Sequence, residues 1–116
     1  MAPYEARIMA TTIRIVTWLV DGDYAEIENY TNGIRLSAAL LEKAISEYGR
    51  TLIMPPDSAL DHLDIVEVDA SCPKKWSVRV DLWTAEEGRS DLSLECTMID
   101  QPGDFLCVEV DNLHVP

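Results

Sequence analysis

The sequence predicts an α+β fold in which two N-terminal helices, plus a short helical turn, pack on a four-stranded antiparallel β-meander. Two observations predict it. Apolar residues of the first half recur at three- and four-residue spacing, whereas those after Pro55-Pro56 recur at every second position. With 116 residues and 47% hydrophobic content, the chain is expected to form a single domain, residues 1–116, around one core.

The helices are predicted from apolar spacing and from residues that begin and end helices. A stripe of apolar residues predicts the first helix over residues 8–20. Asp23 then stands where it would cap a short helical turn over residues 24–30. Ser37, whose side chain can accept from an exposed backbone N–H, begins the second helix, and Gly49 ends it.

Four strands are predicted after the proline pair, at about residues 63–69, 76–84, 91–99 and 105–111. In the strand over 76–84, Trp76, Val78, Val80 and Leu82 alternate with mostly polar residues. Such alternation is typical of an antiparallel sheet with one face on a core and the other in water.

The register of the first hairpin follows from the requirement that apolar faces coincide. It predicts three facing pairs: Leu82 with Leu92, Arg79 with Glu95, and Trp83 with Asp91. A loop of about residues 85–89 closes this hairpin.

In the second hairpin, the same reasoning sets Met98 opposite Leu106 and Cys96 opposite Val108, with Cys107 on the other face. Cys96 and Cys107 should therefore not form a disulfide. The chain has three cysteines and no C-x-x-C or C-x-x-H spacing, so reduced thiols are expected.

The charge of the chain is strongly negative and unevenly distributed. The formal net charge is −12, of which residues 1–50 contribute −2 and residues 51–116 contribute −10. Binding of nucleic acid through phosphates requires the opposite sign and is not expected. Recognition of a basic protein partner remains open, as does a simple contribution to solubility.

The charged stretch AEEGRSD, residues 85–91, is the best candidate for a functional site. One interpretation is a solvated turn with weak surface ion pairs among its charged residues, Glu86, Glu87, Arg89 and Asp91. The other is a recognition site, because Trp83 is predicted at the entrance of the loop on the polar face, and exposed aromatic rings beside charges are frequent in such sites.

Catalytic and metal chemistry find less support. Glu86 and Glu87 are adjacent in a loop, where solvation keeps both carboxylates ionised. A metal site of Glu86, Asp91 and His114 would have suitable ligand types but no recognised spacing, so no metal or other cofactor is expected. His114 could approach Asp91 or Arg89 if the C-terminal segment lies beside the hairpin.

Four segments carry a resemblance to a known family: DGDY at 21–24, SEYGRTLIMPP at 46–56, LWTAEEGRSDLSLE at 82–95 and DNLHV at 111–115. In them the chain resembles short bacterial proteins of an uncharacterised domain family. The resemblance brings no assigned activity. It implies that one polar cluster contains Trp83, Glu87, Arg89, Ser90, Asp91 and His114.

Two functional hypotheses follow. The first is a non-enzymatic acidic binding protein, immunity-like or regulatory, that recognises a basic protein partner through its β half, with Trp83 as an apolar anchor and Glu86, Glu87 and Asp91 as complementary charges. The alternative is a small ligand-binding or hydrolytic domain with a polar site at the 85–91 loop and the C-terminus, where Arg89 would hold an anion and Asp91 or His114 a proton.

A cytoplasmic location is expected from the sequence. The apolar-rich stretch over residues 8–20 contains Arg14 and several threonines and falls short of the roughly 20 apolar residues of a membrane span. The first ten residues, MAPYEARIMA, lack the pattern of a secretory signal. Residue types alone leave the oligomeric state undetermined.

Overall fold

The computed structural model describes residues 4–70 and 72–115, in which helices cover one face of an antiparallel sheet. The helices are α1 Tyr4–Asp21, α2 Tyr24–Thr31, α3 Ala38–Tyr48 and the short α4 Asp57–Leu60. The strands are β1 Leu52–Ile53, β2 Asp64–Glu67, β3 Lys75–Thr84, β4 Gly88–Ile99 and β5 Cys107–His114. The α+β class is confirmed. The four predicted strands correspond to β2 to β5, and the predicted helical turn is the two-turn helix α2.

The sheet has the order β1-β3-β4-β5, and β2 also pairs with β3. Because β4 occupies one edge of β3, the strands β1 and β2 share its other edge. There, β1 pairs with residues 83–84 and β2 with residues 76–79. Residues 54–63, including α4, connect the two short strands. The edge of β3 is therefore interrupted beside residues 80–82.

The hydrophobic core lies between the helices and the inner face of the sheet. Its side chains include Ile8, Ile15, Val16 and Leu19 of α1, Ile27 of α2, Leu41 of α3 and the alternate residues Trp76, Val78, Val80 and Leu82 of β3. Trp76 is buried, as predicted, whereas Trp18 is half-buried at the margin, edge to face with Tyr30 at 5.7 Å between ring centroids. The opposite face of the sheet carries polar residues of β3, such as Ser77, Arg79 and Asp81, together with Trp83.

The helix termini largely follow the predicted residues. The Ser37 hydroxyl accepts from the backbone N–H of Leu40 at 3.3 Å, and Gly49 closes α3 with a φ of +73°. Asp23 precedes α2 as predicted, but its side chain makes no capping hydrogen bond. The buried face of α3 is narrow, because Leu41 is fully buried whereas its neighbour Leu40 is 48% exposed.

The first hairpin keeps the predicted register only as far as Asp81. Arg79 pairs with Glu95 as expected, but Trp83 lies opposite Arg89, and the predicted pairing with Asp91 is wrong. A bulge in β4 causes the shift. It spans residues 90–92 and includes Ser90, whose hydroxyl donates to the Leu82 carbonyl at 2.8 Å and accepts from the Leu92 N–H at 3.1 Å.

The second hairpin is shifted by two residues from the prediction, because Met98 pairs with Val108 and Cys96 pairs with Val110. Leu106 belongs to the connection and not to β5. Its backbone N–H donates to the Thr11 hydroxyl of α1 at 3.0 Å, so this residue bonds to a helix. The faces are unchanged, and Cys96 and Cys107 are both free thiols, as predicted.

The strand β2 forms an open edge of the sheet. Beyond its end, the N–H of Val68 donates to the Lys75 carbonyl at 2.9 Å. Since hydrogen-bonded pairs alternate in an antiparallel ladder, the backbone groups of Ile65 and Glu67 point away from β3. Val66 is 60% exposed on this strand. In the described ranges, no helix has the length and apolar character required to cross a membrane.

Candidate functional site

The outer face of the sheet brings charged side chains of β3 and β4 together with one tryptophan. Alternation places Arg79, Asp81 and Trp83 of β3 on this face, since Val78, Val80 and Leu82 point into the core. Arg89 and Asp91 of β4 are exposed near the same hairpin end. The predicted site therefore lies on the solvent face, and Trp83 is half-buried there and absent from the core.

Two adjoining depressions, here called the outer-face groove, lie among these residues. The larger has a volume of about 420 Å³ and is lined by Ser58, Ala59, His62, Leu63, Asp64, Arg79, Val80, Asp81, Trp83 and Arg89. The smaller has about 380 Å³ and is lined by Arg79, Asp81, Arg89, Ser90, Asp91, Ser93 and Val115. Arg79, Asp81 and Arg89 border both. Volumes of this size are common for small-ligand sites.

One wall of the groove comes from the connection between β1 and β2. Pro55-Pro56 follows one residue after the end of β1 and cannot supply backbone donors to continue it. The chain turns through α4 and returns at Asp64 of β2, bringing His62 and Asp64 to the groove. The depression thus occupies the place where the edge of β3 is interrupted.

The two arginines of the groove are incompletely matched by carboxylates. Arg79 Nη2 lies 3.9 Å from Asp81 Oδ1, at the limit of an ion pair, and the same Asp81 oxygen accepts from the Ser93 hydroxyl at 3.0 Å. Within residues 4–70 and 72–115, Arg89 forms neither an ion pair nor a side-chain hydrogen bond. Its exposed guanidinium is therefore available to a ligand.

Trp83 lies across the end of the hairpin. Its Cα faces Ile53 of β1 on one side and Arg89 of β4 on the other. A Cβ added at Gly88, which has a φ of +74°, would lie 3.8 Å from Cζ3 of the indole ring, so the ring packs over this glycine. The indole Nε1 is buried without an acceptor among the residues described. Packing, and not hydrogen bonding, holds the ring.

The two glutamates of the loop are engaged within the protein. Glu86 accepts from the backbone N–H of Thr51 at 2.8 Å and from its hydroxyl at 3.0 Å. The Thr51 N–H holds the pKa of the Glu86 carboxyl below its usual range, because hydrogen bonds to the charged form favour it. Glu87 accepts from the Tyr48 hydroxyl at 2.8 Å and from the Thr84 hydroxyl at 3.2 Å. Both fasten the loop to the α3–β1 corner.

His114 and Ser90 also have partners that the sequence did not predict. His114 Nε2 lies 2.8 Å from Glu95 Oε2, and His114 faces Ser93 across the β4–β5 pair. Among the described residues, His114 makes neither of the expected contacts, with Arg89 or with Asp91. The next residue, Val115, does line the groove. Ser90 is buried in the bulge, where its hydroxyl serves the backbone.

The predicted polar cluster is therefore divided. Trp83, Arg89, Ser90 and Asp91 border the groove, Glu86 and Glu87 bind the α3–β1 corner, and His114 pairs with Glu95. Over the described ranges, no group of three or more His, Cys, Asp or Glu side chains is arranged to hold a metal ion.

A patch of unmatched negative charge adjoins the groove. The α4–β2 segment, residues 57–69, contains no lysine or arginine. Its five exposed carboxylates belong to Asp57, Asp61, Asp64, Glu67 and Asp69. None of them forms an ion pair with any residue that the structure describes.

The carboxylates at the other edge of the sheet differ, because they have cationic partners. Arg35, from the loop after α2, pairs with Asp111 at 2.7 Å and with Glu109 at 3.4 Å. The negative field of the β half is consequently least compensated along the α4–β2 segment.

Sequence reasoning missed Arg79, Asp81, His62 and Asp64 as residues of the site. A signal existed for the first two, since Arg79 and Asp81 stand four and two residues before Trp83 and must share its face of the strand. For His62 and Asp64 no local signal existed, because their position depends on where β2 pairs along β3.

Like the resemblance in the four sequence segments, the comparisons with known proteins bring no assigned activity. Neither the comparison with curated proteins nor the comparison with solved structures returned a match. The comparison with protein-family models matched residues 16–116 to DUF7668, described as a domain of unknown function. The match spans every strand of the sheet and the whole outer-face groove. The chain therefore belongs to the DUF7668 family.

Proposed function

We propose that the protein is a non-enzymatic binding protein that recognises a basic protein partner through its β half. The contact surface would be the α4–β2 segment together with the adjoining outer-face groove. The observation that carries the proposal is the row of five exposed, unpaired carboxylates on residues 57–69, a segment without lysine or arginine. Complementary charges of this kind speed the encounter of two proteins and disfavour the binding of other proteins.

Trp83 supplies the apolar element that such a surface needs. Interfaces draw most of their affinity from a few buried anchors, among which tryptophan is enriched. Trp83 is half-buried in the groove beside the carboxylates of the α4–β2 segment, and Asp64 borders the same depression. A partner side chain that enters the groove would cover the indole ring while basic residues around it meet the acidic segment.

The sequence predicted Glu86 and Glu87 as complementary charges for the partner, but in this proposal their role is structural. Because Glu86 and Glu87 bind Thr51, Tyr48 and Thr84, they hold the hairpin in place and contribute only their field to a partner. Asp91, exposed at the groove, keeps the role of a complementary charge.

The proposed setting is the cytoplasm of a bacterium, in an immunity-like or regulatory role. The resemblance in the four sequence segments supports the bacterial part of this proposal. The reducing compartment is supported by the three free thiols of Cys72, Cys96 and Cys107.

Affinity capture with charge variants tests the proposal. The bait proteins are the wild type, a variant of the acidic segment carrying Asp61→Asn, Asp64→Asn and Glu67→Gln, and a control with the same change of charge, carrying Glu5→Gln, Glu26→Gln and Glu42→Gln on the helices. Proteins retained from the source cell at low salt are quantified for each. All control positions are exposed, and thermal unfolding verifies that each bait is folded.

A basic protein should be retained by the wild type and the control, lost from the variant of the acidic segment, and released at about 1 M salt, where the Debye length is about 3 Å. Trp83→Ala should weaken retention of the same protein. Equal retention by all baits, or retention that resists high salt, would contradict the proposal.

A further inference from the structure

The groove contains two arginines without closely paired carboxylates, although the chain is strongly acidic. The chain has 21 acidic residues and nine basic ones, yet Arg89 finds no carboxylate among the residues described, and Arg79 reaches only Asp81, at 3.9 Å. Both line the two adjoining depressions. Two weakly matched guanidinium groups on one concave surface form a site for an anion, because the guanidinium fork matches planar oxyanions.

The remaining charges of the groove determine which anion fits. Asp64, Asp81 and Asp91 border the same space and repel negative charge, and only Asp81 has a hydroxyl donor, from Ser93. A phosphate carries nearly two charges at neutral pH and would meet more repulsion than a carboxylate with one. The planar carboxylate also matches the guanidinium fork in shape.

Apolar side chains line part of the larger depression. Ala59, Leu63 and Val80 line it together with Trp83, and its volume of about 420 Å³ can hold an aromatic ring. A ligand with an apolar body and one carboxylate would therefore place its body against the indole and its charge at the arginines.

We propose that Arg79 and Arg89 form a carboxylate subsite in the outer-face groove, with Trp83 contacting the apolar part of the ligand. The carboxylate belongs either to a free organic acid or to the C-terminal residue of a peptide. The subsite goes beyond the proposed basic partner and does not depend on it, since its charge contacts are the arginines of the groove; the two proposals share only the surface around Trp83 and Asp64.

Titration with phenylacetate, followed by NMR of the labelled protein, tests the subsite. The chain has three tryptophans, and only the indole signal of Trp83 should shift with saturation. Phenylacetamide, which has the same shape without the charge, should leave it unchanged. Arg89→Gln and Arg79→Gln should each weaken phenylacetate binding about tenfold, whereas Arg50→Gln, outside the groove, should not.

Two substitutions and a competitor complete the test. Asp64→Asn removes a repulsive charge and should tighten phenylacetate binding, whereas the same substitution should weaken binding of a basic partner. The two proposals can thus fail separately. Absence of saturable binding, equal binding of the amide, no effect of Arg89→Gln, or tighter binding of inorganic phosphate than of phenylacetate would each overturn the carboxylate subsite.

The source of the carboxylate is distinguished by a peptide arm. A short peptide ending in phenylalanine is titrated with a free and with an amidated C-terminus. If the free acid binds more tightly than phenylacetate and the amide does not bind, the subsite receives a chain terminus. If phenylacetate binds more tightly than either peptide, the subsite receives a free organic acid.

Discussion

The hydroxyl of Ser90 donates to the Leu82 carbonyl across the β3–β4 hairpin at 2.8 Å, and it accepts from the Leu92 N–H at 3.1 Å. The Ser90 side chain thus replaces backbone hydrogen bonds between β3 and β4 that the bulge interrupts. Its effect reaches the site, because the bulge moves Arg89 into the position opposite Trp83. The groove depends on this buried serine although its hydroxyl faces the backbone.

Ser90→Ala should lower the free energy of unfolding by about 1–3 kcal/mol, since a buried carbonyl and a buried N–H both lose their partner. Chemical denaturation measures the change. Ser77→Ala, at an exposed position of β3, serves as the matched control and should change stability by less than about 0.5 kcal/mol. A loss in Ser90→Ala no larger than that in the control would show that the bulge does not require the hydroxyl.

Asp100→Ala should also destabilise the fold. Arg7 of α1 is buried, and its Nη1 donates to Asp100 Oδ1 at 3.0 Å. Removal of the carboxylate leaves a buried guanidinium without its counter-charge, at an expected cost of about 1–2 kcal/mol because Asp100 itself is partly exposed. Denaturant unfolding of Asp100→Ala and of Asp104→Ala, an exposed acid in the same connection, makes the comparison. Equal stabilities would mean that the ion pair contributes nothing.

The three cysteines should differ in reactivity. Burial raises the pKa of the Cys96 thiol far above its usual range, so it has almost no thiolate at neutral pH. Cys72 is exposed and Cys107 is partly buried. Iodoacetamide labelling followed by mass spectrometry should modify Cys72 first and Cys96 only after denaturation. Modification of Cys96 in the folded protein at the rate of Cys72 would contradict the buried position.

The attachment of the loop to β1 should weaken at low pH. The pKa of Glu86 is lower in the folded chain than the ordinary value of 4.5, so its contacts stabilise the fold above that value and are lost as the pH falls through the folded pKa. Carbon NMR titration should give Glu86 a midpoint below 4.5. Thr51→Val removes only the hydroxyl donor and should raise the midpoint part of the way. A midpoint at or above the ordinary value would show that the Thr51 contacts are absent in solution.

The sequence predicted the faces of the sheet well and its registers less well. Alternation from Trp76 to Met98 predicts the apolar side chains that face the core, although Ser90 and Ser93 are buried as well, and the pairing of Arg79 with Glu95 follows from it. The shift of the second hairpin is by two residues and leaves every face unchanged, so no hydrophobic pattern could detect it. The observed register is accompanied by the contact of Leu106 with Thr11, which joins residues far apart in the chain.

The candidate site was predicted in part for similar reasons. Trp83, Arg89 and Asp91 were identified because a loop with charges and an aromatic residue is visible in the sequence. The wall of the groove that the α4–β2 segment forms was not predicted, because β1 has only two residues and its pairing beside Trp83 follows from the tertiary fold. His114 was assigned to the wrong partners, since the β-bulge between Glu95 and Cys96 sets its neighbours.

The open edge of β2 has a consequence for how copies of the chain meet. A strand from another molecule could form hydrogen bonds with the outward backbone groups of Ile65 and Glu67. The exposed Val66 lies between these two residues. The carboxylates of residues 57–69 oppose that approach, because a second copy brings the same charges to the same edge. The negative charge along residues 57–69 thereby disfavours edge-to-edge pairing between copies of the sheet.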